Sequence, residues 1–480
     1  MLRAARHASS AAASASPCST AALLDLESIV GAGGLSVNES VIENHGSLER
    51  GYVGWSRPQA VVFASSTPEV AEIVKACAAH RVPIVPYGAG TSVEGHIDCP
   101  AAGTVMLDLS RMDSVLAVHE EDFDARVQAG VTREALNEHL RATGLTFTVD
   151  PGANATLGGM VATNASGTTT LRYGAMKENV ASLQVVMADG SIVEAGGRAR
   201  KSSAGYDLTR LLIGSEGTLG VVTEVGVRLH PQPEATAAAV CHFETLEGAV
   251  GACVGATYTG AMPARMELLD AVTMAALDGY QGQSFASKPT VFWEFHGSAA
   301  SVEEQAATVG ELAAAHGGGG FEFATATEDR ARLWKARHDA FWAVKARYPG
   351  LDVLATDVAV PISRLPGVVE ATHADVARLG ITAAPLFGHV GDGNFHLLVI
   401  FDAADGADVA RVRELEGALV ARAIAAGGTC TGEHGVGTAK LQYLDAEFGA
   451  PAVDVMGAIK RALDPLDILN PGKAVPRNRH

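Results

Sequence analysis

The 480-residue chain is short of positive charge, of charge altogether, of paired cysteines and of long apolar runs, and each shortage removes a class of function. Its 36 lysines and arginines stand against 54 aspartates and glutamates, a formal net charge of −18. A phosphate backbone needs a basic face, so nucleic acid is not an expected partner, whereas a basic protein partner stays open. With 19% charged and 48% hydrophobic residues the chain reads as a well-buried enzyme rather than a disordered one. Cys18, Cys77, Cys99, Cys241, Cys253 and Cys430 include no Cys-x-x-Cys pair, which argues against a zinc ribbon and a disulfide framework. They read as free or buried thiols in a reducing compartment. No window of 18 or more apolar residues occurs, so no membrane-spanning helix is expected.

The N-terminus lacks acid before Asp25 and carries Arg3, Arg6 and many Ala and Ser. That composition points to a mitochondrial or plastid transit peptide over residues 1–24, with a frayed polar terminus as the alternative. The length exceeds what one hydrophobic core supports, so two or three domains are expected.

AVVFA (60–64), VPIVPY (82–87), TVMLDLS (104–110) and ARVQAG (125–130) read as strands. Thr67-Pro68-Glu69 opens one helix, and VTREALNEHLRATG is a second, closed by Gly144. Asp189-Gly190 turns a hairpin within LQVVMADGSIVEA. Pro231 and Pro233 mark a boundary, and TVFWEFHG (290–297) is a strand beyond it.

Four glycine-rich stretches fall in the first half: PYGAGTS, PGANATLGGMVATNASG, LRYGAMKENV and IGSEGTLGVV. Each exposes backbone N–H groups, and small residues let a backbone approach something large and flat. Gly88-x-Gly90 lacks the third glycine of a dinucleotide fingerprint, so that loop alone is weak. Together the four suit one extended ligand with a pyrophosphate and a ring system.

In order and wording these segments resemble the FAD domain of the vanillyl-alcohol oxidase and p-cresol methylhydroxylase type of flavoprotein. The resemblance implies an α+β fold with a two-part FAD-binding domain over residues 25–233 and an α/β cap domain over 234–440. A C-terminal segment, 441–480, would pack back on the FAD domain. It implies that Pro86, Tyr87, Gly88, Ala89, Gly90, Thr91 and Ser92 wrap the FAD pyrophosphate. Pro151, Gly152, Gly158, Gly159, Ala162, Asn164, Ser166 and Gly167 would line the isoalloxazine and ribityl side. Glu216, Gly217, Gly220 and Val222 would hold the other wall. Thr91 stands near where some members carry a flavin-linked histidine, which implies non-covalent FAD.

GHVGDGNFH (388–396) places two histidines around a turn that no helix tolerates. Folded as a hairpin about Gly391–Asn394, Val390 opposes Phe395 and His389 opposes His396. Opposed residues hold their Cβ atoms roughly 4.5–5.5 Å apart, close enough for two imidazoles to share an ion. Two structural histidines flanking an ordinary turn is an equal alternative. TCTGEHGVG (429–437) offers a third ligand, and adjacent Glu433 and His434 point apart in extended backbone. Two histidines and a carboxylate leave open positions, as in a catalytic metal site.

GHVGDGNFH, TGEHGVG and LDPLDILNPGK also resemble the C-terminal half of FAD-linked D-2-hydroxyacid dehydrogenases, the mitochondrial cytochrome-linked D-lactate enzymes above all. The resemblance implies His389, His396 and Glu433 as ligands of Zn²⁺ or Mn²⁺, His434 as the base, and Arg337 as the clamp of the substrate carboxylate. A bare helix-surface arginine is the alternative for Arg337. Asn394 joins the catalytic residues because it sits close enough to touch the same substrate. The 2-hydroxyglutarate enzymes carry a lysine where LATDVAVP has Ala355 and Thr356, which favours a monocarboxylate such as D-lactate. The implied reaction is proton removal from the metal-held 2-hydroxyl, hydride transfer from C2 to flavin N5, and passage of electrons to cytochrome c or a related acceptor. A glycolate or D-2-hydroxyglutarate dehydrogenase, or a non-redox flavin-fold synthase, are the rival readings. The oligomeric state stays open, a homodimer among the options.

Overall fold

The computed structural model describes residues 18–46, 57–100, 102–282 and 284–479. The chain divides into two compact units. One combines the chain up to Ser166 with Ala175–Pro231 and Glu433–His480; the other combines Gly167–Gly174 with Gln232–Gly432.

In the first unit, short apolar segments form a sheet in which Ala60–Phe63 and Ile84–Tyr87 both run parallel to Val105–Asp108. Helix Thr67–His80 links the two outer of these three strands, which lie on either side of Val105–Asp108. Ser66 caps that helix by accepting from the Glu69 N–H, Pro68 fills its first turn, and Val70, Ile73, Val74 and Cys77 line its buried face. A second sheet is antiparallel, ordered Val115–His119, Asp124–Gln128, Val221–Arg228, Val180–Val186 and Ile192–Gly196. The last two strands are the hairpin read from Asp189-Gly190. Strand Val115–His119 was not read from sequence, being mostly half-exposed beside acidic residues. The helix expected to close at Gly144 ends at His139, because Leu140 already caps it; Gly144 still reverses the chain at φ +72°.

Residues 1–17 of the expected transit peptide lie outside the described residues. Cys18 and Ala22 pack into the core, and helix Thr20–Val30, capped by Ser19, runs across position 24 and buries Ala22 and Leu26 one turn apart. The C-terminal piece is held by polar anchors. Buried Lys460 donates to the carbonyls of Thr218 and Leu469 at 2.9 and 2.8 Å and to Asp464 at 2.5 Å. Asn470 donates to the carbonyls of His96 and Glu216. A buried ammonium with three acceptors is satisfied rather than stranded.

The second unit is built on an eight-stranded antiparallel sheet that includes Ala235–Phe243, Arg265–Leu269, Thr290–Gly297, Leu386–Gly388 and Asn394–Phe401. TVFWEFHG forms the expected strand residue for residue. Helix Thr327–Arg347 covers one face and buries Leu333, Trp334, Ala336 and Ala340 against Ala238, Val240 and Phe292. No helix among the described residues is long and apolar enough to cross a membrane.

Candidate active site

In the first unit the strand Ile84–Tyr87 runs into the loop Gly88–Ser92, which the chain reverses at Gly90 with φ +67°. Helix Leu157–Thr163 starts at Thr156, whose Oγ1 accepts from the Gly159 N–H at 3.3 Å, and ends at Asn164 in the left-handed region. The turn before Val221 is tied to this helix: the Gly214 N–H donates to the Val161 carbonyl at 2.9 Å, and the Glu216 N–H to Ala162 at 2.8 Å. A Cβ at Gly217 would lie 3.0 Å from Pro86, and one at Gly88 would strike Thr156 Oγ1. The three loops Pro86–Ser92, Pro151–Ser166 and Glu216–Val222 thereby gather in one region of this unit.

Not every small residue there makes room for a ligand. A Cβ at Gly158 would come within 2.6 Å of Ala129 Cβ, and Gly220 is closed by Val185, so these two glycines admit protein neighbours. Val222 sends its side chain into the core. Gly152 is exposed and has nothing within 4 Å of its Cβ position. Loops of this shape with accessible N–H groups fit FAD.

Glu216 adopts φ +56°, rare for a side chain of its size, and is buried. Its oxygens accept from the Val436 N–H at 2.6 Å and the Gly437 N–H at 2.9 Å, and His96 Nε2 lies 3.2 Å away without hydrogen-bond alignment. Burial pushes this carboxyl up, but His96 and the two N–H donors outweigh it and hold it below the usual range. The strained carboxylate thus pins the loop that carries His434. His434 Nδ1 stands 3.5 Å from Oε1 of buried Glu94, and Glu433 accepts from Ser166 Oγ at 2.8 Å. Glu94 and Glu216 fix this segment; only Glu216 was singled out from sequence, as a cofactor contact.

The second unit holds the histidine pair. Its register corrects the expected hairpin: Phe387, not His389, opposes His396, and Leu386 opposes Leu397. His389 precedes a 3-10 turn over Val390–Asp392, and Gly393 closes it at φ +73°. The wider turn still brings the rings together, with centroids 5.8 Å apart, planes 85° apart, and a nitrogen of each within 4.8 Å of the other. Both are buried. His389 Nδ1 donates to Glu267 Oε1 at 2.5 Å, and His396 Nδ1 donates to the Thr356 carbonyl at 2.9 Å. An acceptor on each Nδ1 fixes the tautomer that presents Nε2 as the lone-pair atom. Two imidazole nitrogens so turned could serve as ligands of a metal ion.

Arg337 lies on helix Thr327–Arg347, so the surface-arginine alternative fails: its guanidinium stacks 4.6 Å over Phe387, and Nε donates to Glu267 Oε2 at 2.7 Å. Its terminal amino groups have no hydrogen-bond partner among the described residues. Glu267 is fully buried in strand Arg265–Leu269; burial raises its carboxyl, but His389 and Arg337 outweigh that and hold it low. Asn394 donates to Asp357 Oδ1 at 2.7 Å and to the Val358 carbonyl at 2.9 Å, leaving its buried Oδ1 without a partner. Asp357 also accepts from Thr431 at 2.7 Å. Thr356 is 1% exposed, and its hydroxyl accepts from the Leu397 N–H. Glu267 and Asp357 escaped the sequence reading, although a lone acid within the apolar run RMELL is a signal that could have found Glu267.

Residues 232–474 match the family described as FAD linked oxidases, C-terminal domain, and residues 58–196 match an FAD binding domain. The chain is 47% identical over 451 residues to a probable mitochondrial D-lactate dehydrogenase of Danio rerio, covering 93% of this chain and 90% of that one. It is 44% identical to the mitochondrial D-lactate dehydrogenase [cytochrome] of Arabidopsis thaliana, covering 87% and 74%. In fold it is similar to p-cresol methylhydroxylase with substrate bound, at a TM-score of 0.78 and 17% identity over 95% of this chain and 97% of the other. The α+β architecture, the loops and both sequence matches agree, and the chain belongs to the FAD-linked oxidases.

Proposed function

We propose that this chain oxidises D-lactate to pyruvate with non-covalent FAD and a divalent metal, Zn²⁺ or Mn²⁺, and passes the electrons to cytochrome c or a related acceptor. The observation that carries the reading is Arg337. Glu267 holds its Nε and Phe387 its face, which leaves the two terminal amino groups to grip a carboxylate as a fork. Such a clamp orients the substrate and removes much of the entropic barrier.

His389, His396 and Glu433 are assigned as the metal ligands. When bound, the ion supplies Lewis acidity that lowers the pKa of the 2-hydroxyl, and FAD supplies the acceptor for the hydride leaving C2. His434 takes the hydroxyl proton, with Glu94 stabilising the imidazolium that results. Asn394 Oδ1, a buried acceptor held in place by Asp357, is assigned to receive a hydrogen bond from the substrate; its lack of a protein partner among the described residues supports that role. Thr91 in the first loop favours non-covalent attachment. Ala355 and Thr356, where larger diacids need a cation, favour a monocarboxylate. The basic N-terminal composition, the names of the mitochondrial relatives and the −18 charge support a mitochondrial enzyme with a basic acceptor protein.

The test is a panel of D-2-hydroxyacids with an artificial electron acceptor, ranked by kcat/KM, with flavin absorbance followed anaerobically. D-lactate is expected to bleach the flavin and to rank first. A higher rank for glycolate or D-2-hydroxyglutarate overturns the substrate, and a flavin that no hydroxyacid bleaches overturns the redox reading.

A further inference from the structure

Three polar clusters go beyond the roles assigned above: Glu267, which bridges Arg337 and His389, the Tyr173–His296–Glu294 chain, and Lys473 beside Cys99. Only the first reaches two working groups at once. Glu267 is 0% exposed, in mid-strand, with one oxygen on each neighbour: Oε1 on His389 Nδ1 and Oε2 on Arg337 Nε. Its two partners lie 122 and 70 residues away along the chain, so nothing local requires an acid there. A buried carboxylate is unfavourable unless it is paired, and this one is paired with the two groups proposed to bind the metal ion and the substrate carboxylate.

From this geometry we infer that Glu267 is a positioning residue that sets substrate and metal affinity together, one carboxylate orienting both the clamp and the imidazole. The inference rests on the roles proposed for His389 and Arg337. The carboxylate accepts from Nδ1 of His389 and so keeps the proton off Nε2, which must be unprotonated to bind a metal ion. The same charge turns the guanidinium so that Nε faces inward and the fork faces outward. An amide cannot do both. Its oxygen can accept from one neighbour, while its N–H₂ either opposes the Arg337 donor or forces His389 into the tautomer that blocks Nε2.

Glu267→Gln is therefore expected to bind zinc more weakly by on the order of 10–100-fold, in chelator competition on metal-stripped, FAD-loaded protein. KM for D-lactate should rise in the zinc-saturated variant while kcat changes less, and FAD content should match the parent. An unchanged zinc affinity or an unchanged KM overturns the inference. His389→Ala separates the two levels: if it binds zinc like the parent, the metal assignment fails; if it loses zinc while Glu267→Gln keeps it, the bridge alone fails. Should Glu267→Gln not fold, Arg337→Gln and the double variant Arg337→Gln/Glu267→Gln remove the charge in balance. Zinc affinity must then fall by the same order between those two, and equal affinities overturn the inference.

Discussion

His389 and His396 meet edge to face, 5.8 Å between ring centroids, although neither is the other's partner across the strand pair. Each ring is turned by an acceptor on its Nδ1, a carboxylate for His389 and a backbone carbonyl for His396. The pair is thus oriented by protein atoms alone, and binding an ion there needs little rearrangement.

If the proposed metal assignment is right, replacing either histidine should abolish metal binding while leaving FAD content unchanged. His389→Ala and His396→Ala are each expected to lose bound metal and to slow kcat at least about 100-fold, while keeping full FAD. Metal analysis beside the flavin spectrum checks this, and a variant with parental metal content would remove its histidine from the ligand set.

Arg337 has a structural and a functional consequence of different size. Arg337→Met should raise KM for D-lactate about 10–100-fold through loss of the charged fork. It should also cost about 3–5 kcal/mol of stability, because Glu267 is left as a buried charge short of a cation. Arg337→Lys restores the charge but not the fork, so thermal stability should recover further than KM does.

Gly158→Ala tests the packing of the flavin loops. The new methyl would meet Ala129 Cβ at 2.6 Å, and both backbones are committed by the hydrogen bond from the Gly158 N–H to the Ala129 carbonyl. A loss of about 1–3 kcal/mol is expected, with reduced FAD occupancy on purification. Thermal melts with and without added FAD measure both.

His45 offers a pH signature away from the chemistry. Burial lowers its pKa, but the 2.7 Å hydrogen bond and charge of buried Asp108 outweigh this and raise it above 6.5. A raised folded pKa means the folded state holds the proton more tightly, so the pair stabilises fully below the unfolded pKa and fades as pH rises through the folded one. The melting-temperature gap between parent and His45→Gln should be widest near pH 5.5 and should shrink by pH 8.5. A gap that widens with pH would refute the assignment.

Most of the local structure was legible because local chemistry decides it. Thr290–Gly297 is rich in β-branched and aromatic residues and is ended by Gly297, and the Asp189-Gly190 turn follows from backbone preference. The histidine turn was legible in kind but not in register. A 3-10 turn at Val390–Asp392 lengthens the loop, and no residue preference distinguishes it from a four-residue hairpin. Ser166, Asn394, His434 and Arg337 stood out by motif. Glu267 and Glu94 did not, since their worth depends on partners brought in from distant parts of the chain.

All six cysteines are buried, and none is in a disulfide. Burial pushes the Cys77 and Cys253 thiols far up and the Cys99 thiol to about 12, so almost none is thiolate at neutral pH. Reduced flavins that meet dioxygen shed peroxide, and peroxide attacks thiolates. By burying all six thiols the fold keeps them from the hazard that its own cofactor generates, and none of them is in a disulfide whose loss could age the protein.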